Sequence, residues 1–161
     1  LQRVGVGVAR GGKYGWVCVF DVTRGTGTVA NRPECVMWPC DGQKDVPTHY
    51  YLEMPDPIPM ASDKRVGNPV TATFAPACKV AAATATLTQG PKSQPVECWL
   101  STPESPADRI YQRNTIALFP KVPLASKTLY TATVTCTVNG KPWSKTWSFT
   151  TSAKGPTRRP H

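Results

Sequence analysis

An all-β fold of two packed layers is what this sequence predicts, and three observations predict it. Residues 129–138 alternate strictly, with Tyr130, Ala132, Val134, Cys136 and Val138 in one row and Thr131, Thr133, Thr135 and Thr137 in the other, the period of a half-buried strand. Between residues 62 and 152, further apolar runs of strand length are separated by turns rich in Gly, Pro and Asn, and no helical period of useful length interrupts them. A sheet with one apolar face needs a second layer over it, so the strands pack as a β-sandwich.

Residues 1–24 carry two strand signals. Val4, Val6 and Val8 alternate with small residues, a Gly-containing turn follows at residues 9–13, and Tyr14, Trp16, Cys18, Phe20 and Val22 then alternate with Gly15, Val17, Val19 and Asp21. A hairpin is the expected structure. Its second strand is apolar on both faces through the middle, so a cover on both sides is expected. The stretch RVGVGVARGGKYGWVCVFDVTRG at residues 3–25 resembles the closing strands of the CAP superfamily, the cysteine-rich secretory, antigen 5 and pathogenesis-related proteins. The resemblance implies the end of a secreted α-β-α sandwich domain whose beginning lies upstream. That family's cavity histidines and acids lie on earlier segments, so it carries no functional residue onto this chain.

Residues 25–61 lose the period. Prolines at 33, 39, 47, 55, 57 and 59, with the turn-like Cys40, Asp41 and Gly42, predict a Pro-rich linker. Val36, Met37 and Trp38, with Tyr50, Tyr51 and Leu52, are apolar enough to dock that linker on a neighbouring domain. Residues 62–152 then supply strand candidates at 69–74, 79–88, 96–100, 115–119, 128–138 and 143–151. Asn139 and Gly140 join the last two as a tight hairpin, since Asn-Gly suits a turn with both central residues at positive φ. Trp147 and Phe149 share one face of the final strand, as core anchors. Residues 106–111 hold at most one helical turn, and residues 153–161 form a basic tail.

Short strands, regular turns and aromatic anchors over residues 62–152 fit an immunoglobulin-like sandwich. The spacing of Leu124 and Tyr130 resembles the L-x5-Y of fibronectin type III and related bacterial Ig-like domains, and GKPWSKTWSFTT at residues 140–151 is similar to the last strand of the surface-layer type. That resemblance implies a Tyr130 hydroxyl tied back to its own preceding loop, the tyrosine corner. Trp99 departs from the antibody pattern by directly following Cys98, so an antibody-type disulfide is not implied.

The six cysteines, Cys18, Cys35, Cys40, Cys78, Cys98 and Cys136, form an even set without a C-x-x-C pair or histidines at ligand spacing. The pattern argues against zinc and for an oxidising compartment. Cys35 with Cys40 closes a small loop, Cys98 with Cys136 bridges two core strands, or several remain buried thiols. The sequence does not choose among these.

Lys and Arg outnumber Asp and Glu by 19 to 10, for a net charge of +9, a balance that draws a protein toward anionic polymers. The basic residues are scattered, however, apart from Lys154, Arg158 and Arg159 in the tail, and no aromatic-basic groove accompanies them, which argues against nucleic acid. No apolar stretch approaches the roughly 18 residues of a membrane span.

Catalytic signals are sparse. His49 stands in the linker and His161 ends the chain, neither with a nucleophile at readable spacing. Asp41, Asp45, Glu53, Asp56 and Asp63 gather in one loop-rich segment but lack a calcium-loop pattern, and Glu97, Glu104 and Asp108 have no spacing that forces a carboxylate pair. Phosphate-loop, nucleophile-elbow and zinc-helix motifs are absent, so no catalytic, cofactor or metal residue is assigned. Trp38, Trp99 and Trp143, with Tyr50 and Tyr51, are candidates for an aromatic platform, against core packing as the alternative. The residues singled out as structural are Leu124, Tyr130, Cys98, Cys136, Trp99 and Trp147. The expected role is a non-enzymatic spacer, adhesion or recognition module of a secreted or surface protein, facing a cell-envelope polymer or another protein. The alternatives are the accessory half of a CAP-type enzyme or lipid-binding protein, and an anionic-polymer binder acting through charge.

Overall fold

A computed structural model of the chain describes residues 5–10, 16–21, 34–50, 65–107 and 112–153. Every regular element among them is a β-strand. The chain divides into two units, Leu1–Pro33 and Glu34–His161. In the first, β1 (Gly5–Arg10) and β2 (Trp16–Asp21) form an antiparallel hairpin with Gly5 opposite Asp21 and Arg10 opposite Trp16. The connecting turn lies outside the described residues.

The second unit holds two larger sheets. Its strands are β3 (Cys35–Trp38), β4 (Gln43–Val46), β5 (His49–Tyr50), β6 (Val66–Gly67), β7 (Val70–Phe74), β8 (Val80–Gln89), β9 (Gln94–Pro95), β10 (Cys98–Ser101), β11 (Thr115–Pro120), β12 (Leu129–Val138) and β13 (Lys141–Thr151). One sheet runs β10-β11-β7-β3, the other β4-β13-β12-β8-β9, and β5 and β6 form a small pair of their own. Every pairing is antiparallel except β13 with β4.

The alternation along β12 sets the interior. Tyr130, Ala132, Val134, Cys136 and Val138 are buried while the threonine row faces outward, and β12 lies between β13 and β8. Both sheets feed one apolar core, with Val70, Phe74, Ile116 and Leu118 from the first, and Leu87, Val134, Trp147 and Phe149 from the second. On the outward row, hydroxyls pair across strands: Thr84 with Thr135 at 2.6 Å, Thr133 with Thr146 at 2.9 Å, and Thr131 with Ser148 at 3.0 Å. Asn139 and Gly140 close the β12–β13 hairpin at φ 52° and 78°, the turn that Asn-Gly prefers. The Asn139 side chain also accepts from the Lys79 N–H at 2.8 Å, and its own N–H returns a bond to the Lys79 carbonyl.

The part of the predicted linker at residues 34–50 is not a linker. β3 completes the four-stranded sheet beside β7, and β4 runs along β13 in the other sheet. This segment thereby contributes a strand to each layer. Between these strands, Trp147 Nε1 donates to the Pro39 carbonyl at 2.9 Å, Gly42 N–H donates to the Ser148 carbonyl, and Ser148 N–H donates to the Asp41 carboxylate. Backbone groups that the prolines leave available find partners in the sheets, since buried amides demand them. Residues 25–33 and 51–61 of the predicted linker lie outside the described residues or in the first unit.

Of the alternatives the sequence left open for the cysteines, the structure has the free thiols, with neither the Cys98–Cys136 bridge nor the Cys35–Cys40 loop. Cys98 and Cys136 are both free thiols, as are Cys35, Cys40 and Cys78. Cys98 sits on β10 opposite Pro120 and donates to the Val96 carbonyl at 3.5 Å, whereas Cys136 lies opposite Trp143.

Candidate functional site

The outer face of the four-stranded sheet carries the chain's most exposed aromatic chemistry among the described residues. Along β3, Cys35 and Met37 pack toward the core, so the pleat puts Val36 and Trp38 on the opposite face, where they are 58% and 45% exposed. Strand register sets their neighbours. Trp38 lies opposite Thr71 and Val36 opposite Thr73, while Thr73 in turn lies opposite Thr115. Thr73 and Thr115 bring their hydroxyls within 3.0 Å. The result is an indole and an aliphatic side chain beside three threonines. β3 ends this sheet.

At the other edge of the same face, Trp99 lies opposite Phe119, and the two join Ala117, Val66 and Tyr50 in a second apolar cluster. Trp99, weighed between an aromatic platform and core packing, packs half-buried against this smaller cluster. Lys121 Nζ stands 5.9 Å from the Trp99 ring centre and 3.4 Å from a Glu97 carboxylate oxygen. A cleft of about 330 Å³ opens here, lined by Trp99, Leu100, Ser101, Ser105, Pro106 and Phe119. Its hydroxyl wall is already engaged: Ser101 Oγ donates to the Gln112 side-chain oxygen and accepts from the Ala107 N–H at 2.8 Å.

The remaining residues singled out from sequence serve the core. Leu124 is buried at the start of the loop leading into β12, and its N–H donates to the Thr48 carbonyl at 2.7 Å. The Tyr130 hydroxyl accepts from the Ala125 N–H at 2.7 Å and donates to the Gln89 side-chain oxygen at 3.1 Å, with its ring stacked on Phe149. Trp147 is fully enclosed. Trp143 packs edge-on against Phe74, with ring centres 4.9 Å apart.

Among the described residues no general base stands out. His49 is buried, its Nδ1 is 3.0 Å from the Thr48 hydroxyl, and burial lowers its pKa, reinforced by the Arg65 charge. Asp41 and Asp45 are exposed, Asp41 holding a backbone N–H as described, while Glu53, Asp56, Asp63, Asp108, Tyr51 and His161 lie outside the described residues. Among the described residues no group of three or more His, Cys, Asp and Glu side chains comes together. The Cys98 and Cys35 thiols are poor nucleophiles, because burial pushes Cys98 up to about 12 against the opposing pull of Lys121, and Cys35 up to about 11.

Two polar side chains matter more than their sequence context suggests. Asn114 Nδ2 donates to the carbonyls of Ala75, Pro76 and Cys78, closing the turn between β7 and β8. The Glu104 carboxylate accepts from the Ala82 N–H at 2.8 Å where β8 leaves register with β12. Neither has a local motif, since both partners are distant in sequence. Compared with known proteins, the chain matches no family model and no curated protein.

Proposed function

We propose that the second unit is a non-enzymatic recognition module of a secreted or surface protein, of immunoglobulin-like type, that binds a cell-envelope polymer on the outer face of its four-stranded sheet. One observation carries this reading: Trp38, 45% exposed, stands on an edge strand beside Thr71, Thr73 and Thr115. A flat aromatic ring offers stacking to a sugar face, and adjacent hydroxyls offer hydrogen bonds to its rim. The net charge of +9 adds long-range attraction if the polymer is anionic. The first unit's hairpin is, in the same proposal, the end of a CAP-like domain, which makes the module an appendage to it.

Co-sedimentation of the full chain with insoluble cell-wall glycan tests the proposal. Trp38→Ala should lower the bound fraction at least severalfold while leaving the thermal transition in place. Equal binding by the parent and Trp38→Ala, or no binding by either, overturns it. Binding that disappears at high salt and ignores the Trp38 substitution instead supports charge-driven capture of an anionic polymer.

A further inference from the structure

We propose that Cys35 and Cys136 are an inter-sheet pair that closes to a disulfide on oxidation, fastening the edge strand β3 to the central strand β12. The two cysteines belong to different sheets, Cys35 to the sheet that β3 ends and Cys136 to the one that holds β12. Cys35 lies opposite Phe74 in the β3–β7 ladder, and Cys136 lies opposite Trp143 in the β12–β13 ladder. Those two ladder partners touch each other, with ring centres 4.9 Å apart at 78°. Each cysteine thus stands one strand away from a member of the same aromatic contact. Both side chains pack in the same core cluster, Cys136 buried and Cys35 at its border.

Electrostatics agree with that placement. The Cys35 thiol is pushed up to about 11 by burial first, and then by Cys136 and by Glu34. Cys136 is raised by burial and by the same Glu34, so each thiol stands within electrostatic reach of one common carboxylate. Cys98 is raised by burial, and the charge beside it is Lys121, which pulls the other way, rather than Glu34; Cys40 is exposed with its Sγ donating to the Met37 carbonyl at 3.5 Å.

The oxidant is a disulfide, either a small molecule such as oxidised glutathione or that of a thiol-disulfide oxidoreductase. One protein thiolate attacks an oxidant sulfur, forms a mixed disulfide and releases one thiolate. The second protein thiolate then attacks the protein-bound sulfur and releases the other. Two protein thiols become one S–S bond, two electrons and two protons pass to the oxidant, and two oxidant thiols leave. Because both groups are protonated when buried, closure is faster in the refolding chain than in the folded one.

The full chain refolded with oxidised and reduced glutathione, then alkylated, digested and read by mass spectrometry, tests this. A cross-linked peptide joining Cys35 to Cys136 is expected, together with two fewer alkylated thiols than in the reduced chain. The urea midpoint should also be higher in oxidised than in reduced protein. A variant with Cys18, Cys40, Cys78 and Cys98 all replaced by Ser should retain that shift, and Cys35→Ala should lose it. Recovery of Cys136 joined to Cys98 or Cys78, or of Cys35 joined to Cys40, overturns the proposal, as does alkylation of both Cys35 and Cys136 after exhaustive oxidation. Peptide mapping of the parent chain decides the matter even if a variant fails to fold.

Discussion

The Tyr130 hydroxyl accepts the Ala125 N–H at 2.7 Å, tying the central strand β12 to the loop that leads into it. The same loop is held from two other directions, by the Leu124 N–H on the Thr48 carbonyl and by Thr151 Oγ1 on the Ala125 carbonyl. Replacing Tyr130 by Phe keeps the stack on Phe149 but leaves the Ala125 N–H without its acceptor. A loss of about 1–2 kcal/mol is expected, read as a lower urea midpoint with unchanged slope. Gln89→Ala, which removes the acceptor of the bond donated by the hydroxyl and a long, exposed bond to Gln94, should cost less. Equal midpoints for the parent and Tyr130→Phe would show that the tie contributes nothing.

Gly67 is required by close approach. A Cβ placed there meets the Pro120 side chain at 2.5 Å and the Val122 carbonyl oxygen at 2.8 Å, which joins β6 to the end of β11 with no room between them. Gly67→Ala is expected to destabilise by about 1–3 kcal/mol through overpacking. Thermal unfolding checks it, and a change within error would mean that β6 moves away freely.

Ala82 sits at φ 51°, a left-handed conformation that strains a residue bearing Cβ. It falls where the β8–β12 register shifts between Thr135 and Thr137, with Glu104 accepting its N–H. Ala82→Gly should therefore stabilise the chain by about 0.5–1 kcal/mol despite the greater entropy of the unfolded glycine. A lower thermal midpoint would contradict this.

In the reduced chain, stability should fall with alkalinity. The ordinary thiol value is 9.0, and burial raises Cys98 to about 12. Between those values the folded chain retains a proton that the unfolded chain has released, so stability decreases as pH rises. Below about pH 9 both states hold it, and the thiol contributes no slope. Tyr130 is raised by burial too and acts in the same direction. Urea midpoints under reductant at increasing pH measure the effect, and Cys98→Ala should have the shallower decline. An identical decline in both proteins would exclude Cys98 as a contributor.

Much of the strand content was legible because a strand's period is local. The candidates at 115–119 and 128–138 correspond to β11 and β12, and Asn139-Gly140 marked its own hairpin through the φ values that only a few residues tolerate. The segment at 34–50 was not legible as part of the fold. Four residues of alternation in Cys35, Val36, Met37 and Trp38 are too short to outweigh the surrounding prolines, and the strand is stable only because β7 lies beside it. Trp99 shows the same limit for the candidate site, since the residue type signals burial but not which side of the sheet it covers.

What the amino-acid sequence determined by itself is therefore the alternation: which side chains of β12 turn inward, where the turns fall, and that a second apolar layer must exist. What only the tertiary structure decided is which distant strands meet. It made β3 an edge with Trp38 outward, set Cys35 beside Phe74 and Cys136 beside Trp143, and gave Asn114 and Glu104 backbone groups to hold. Side-chain period depends on one strand's geometry, whereas partner choice depends on complementary surfaces brought together by the whole chain.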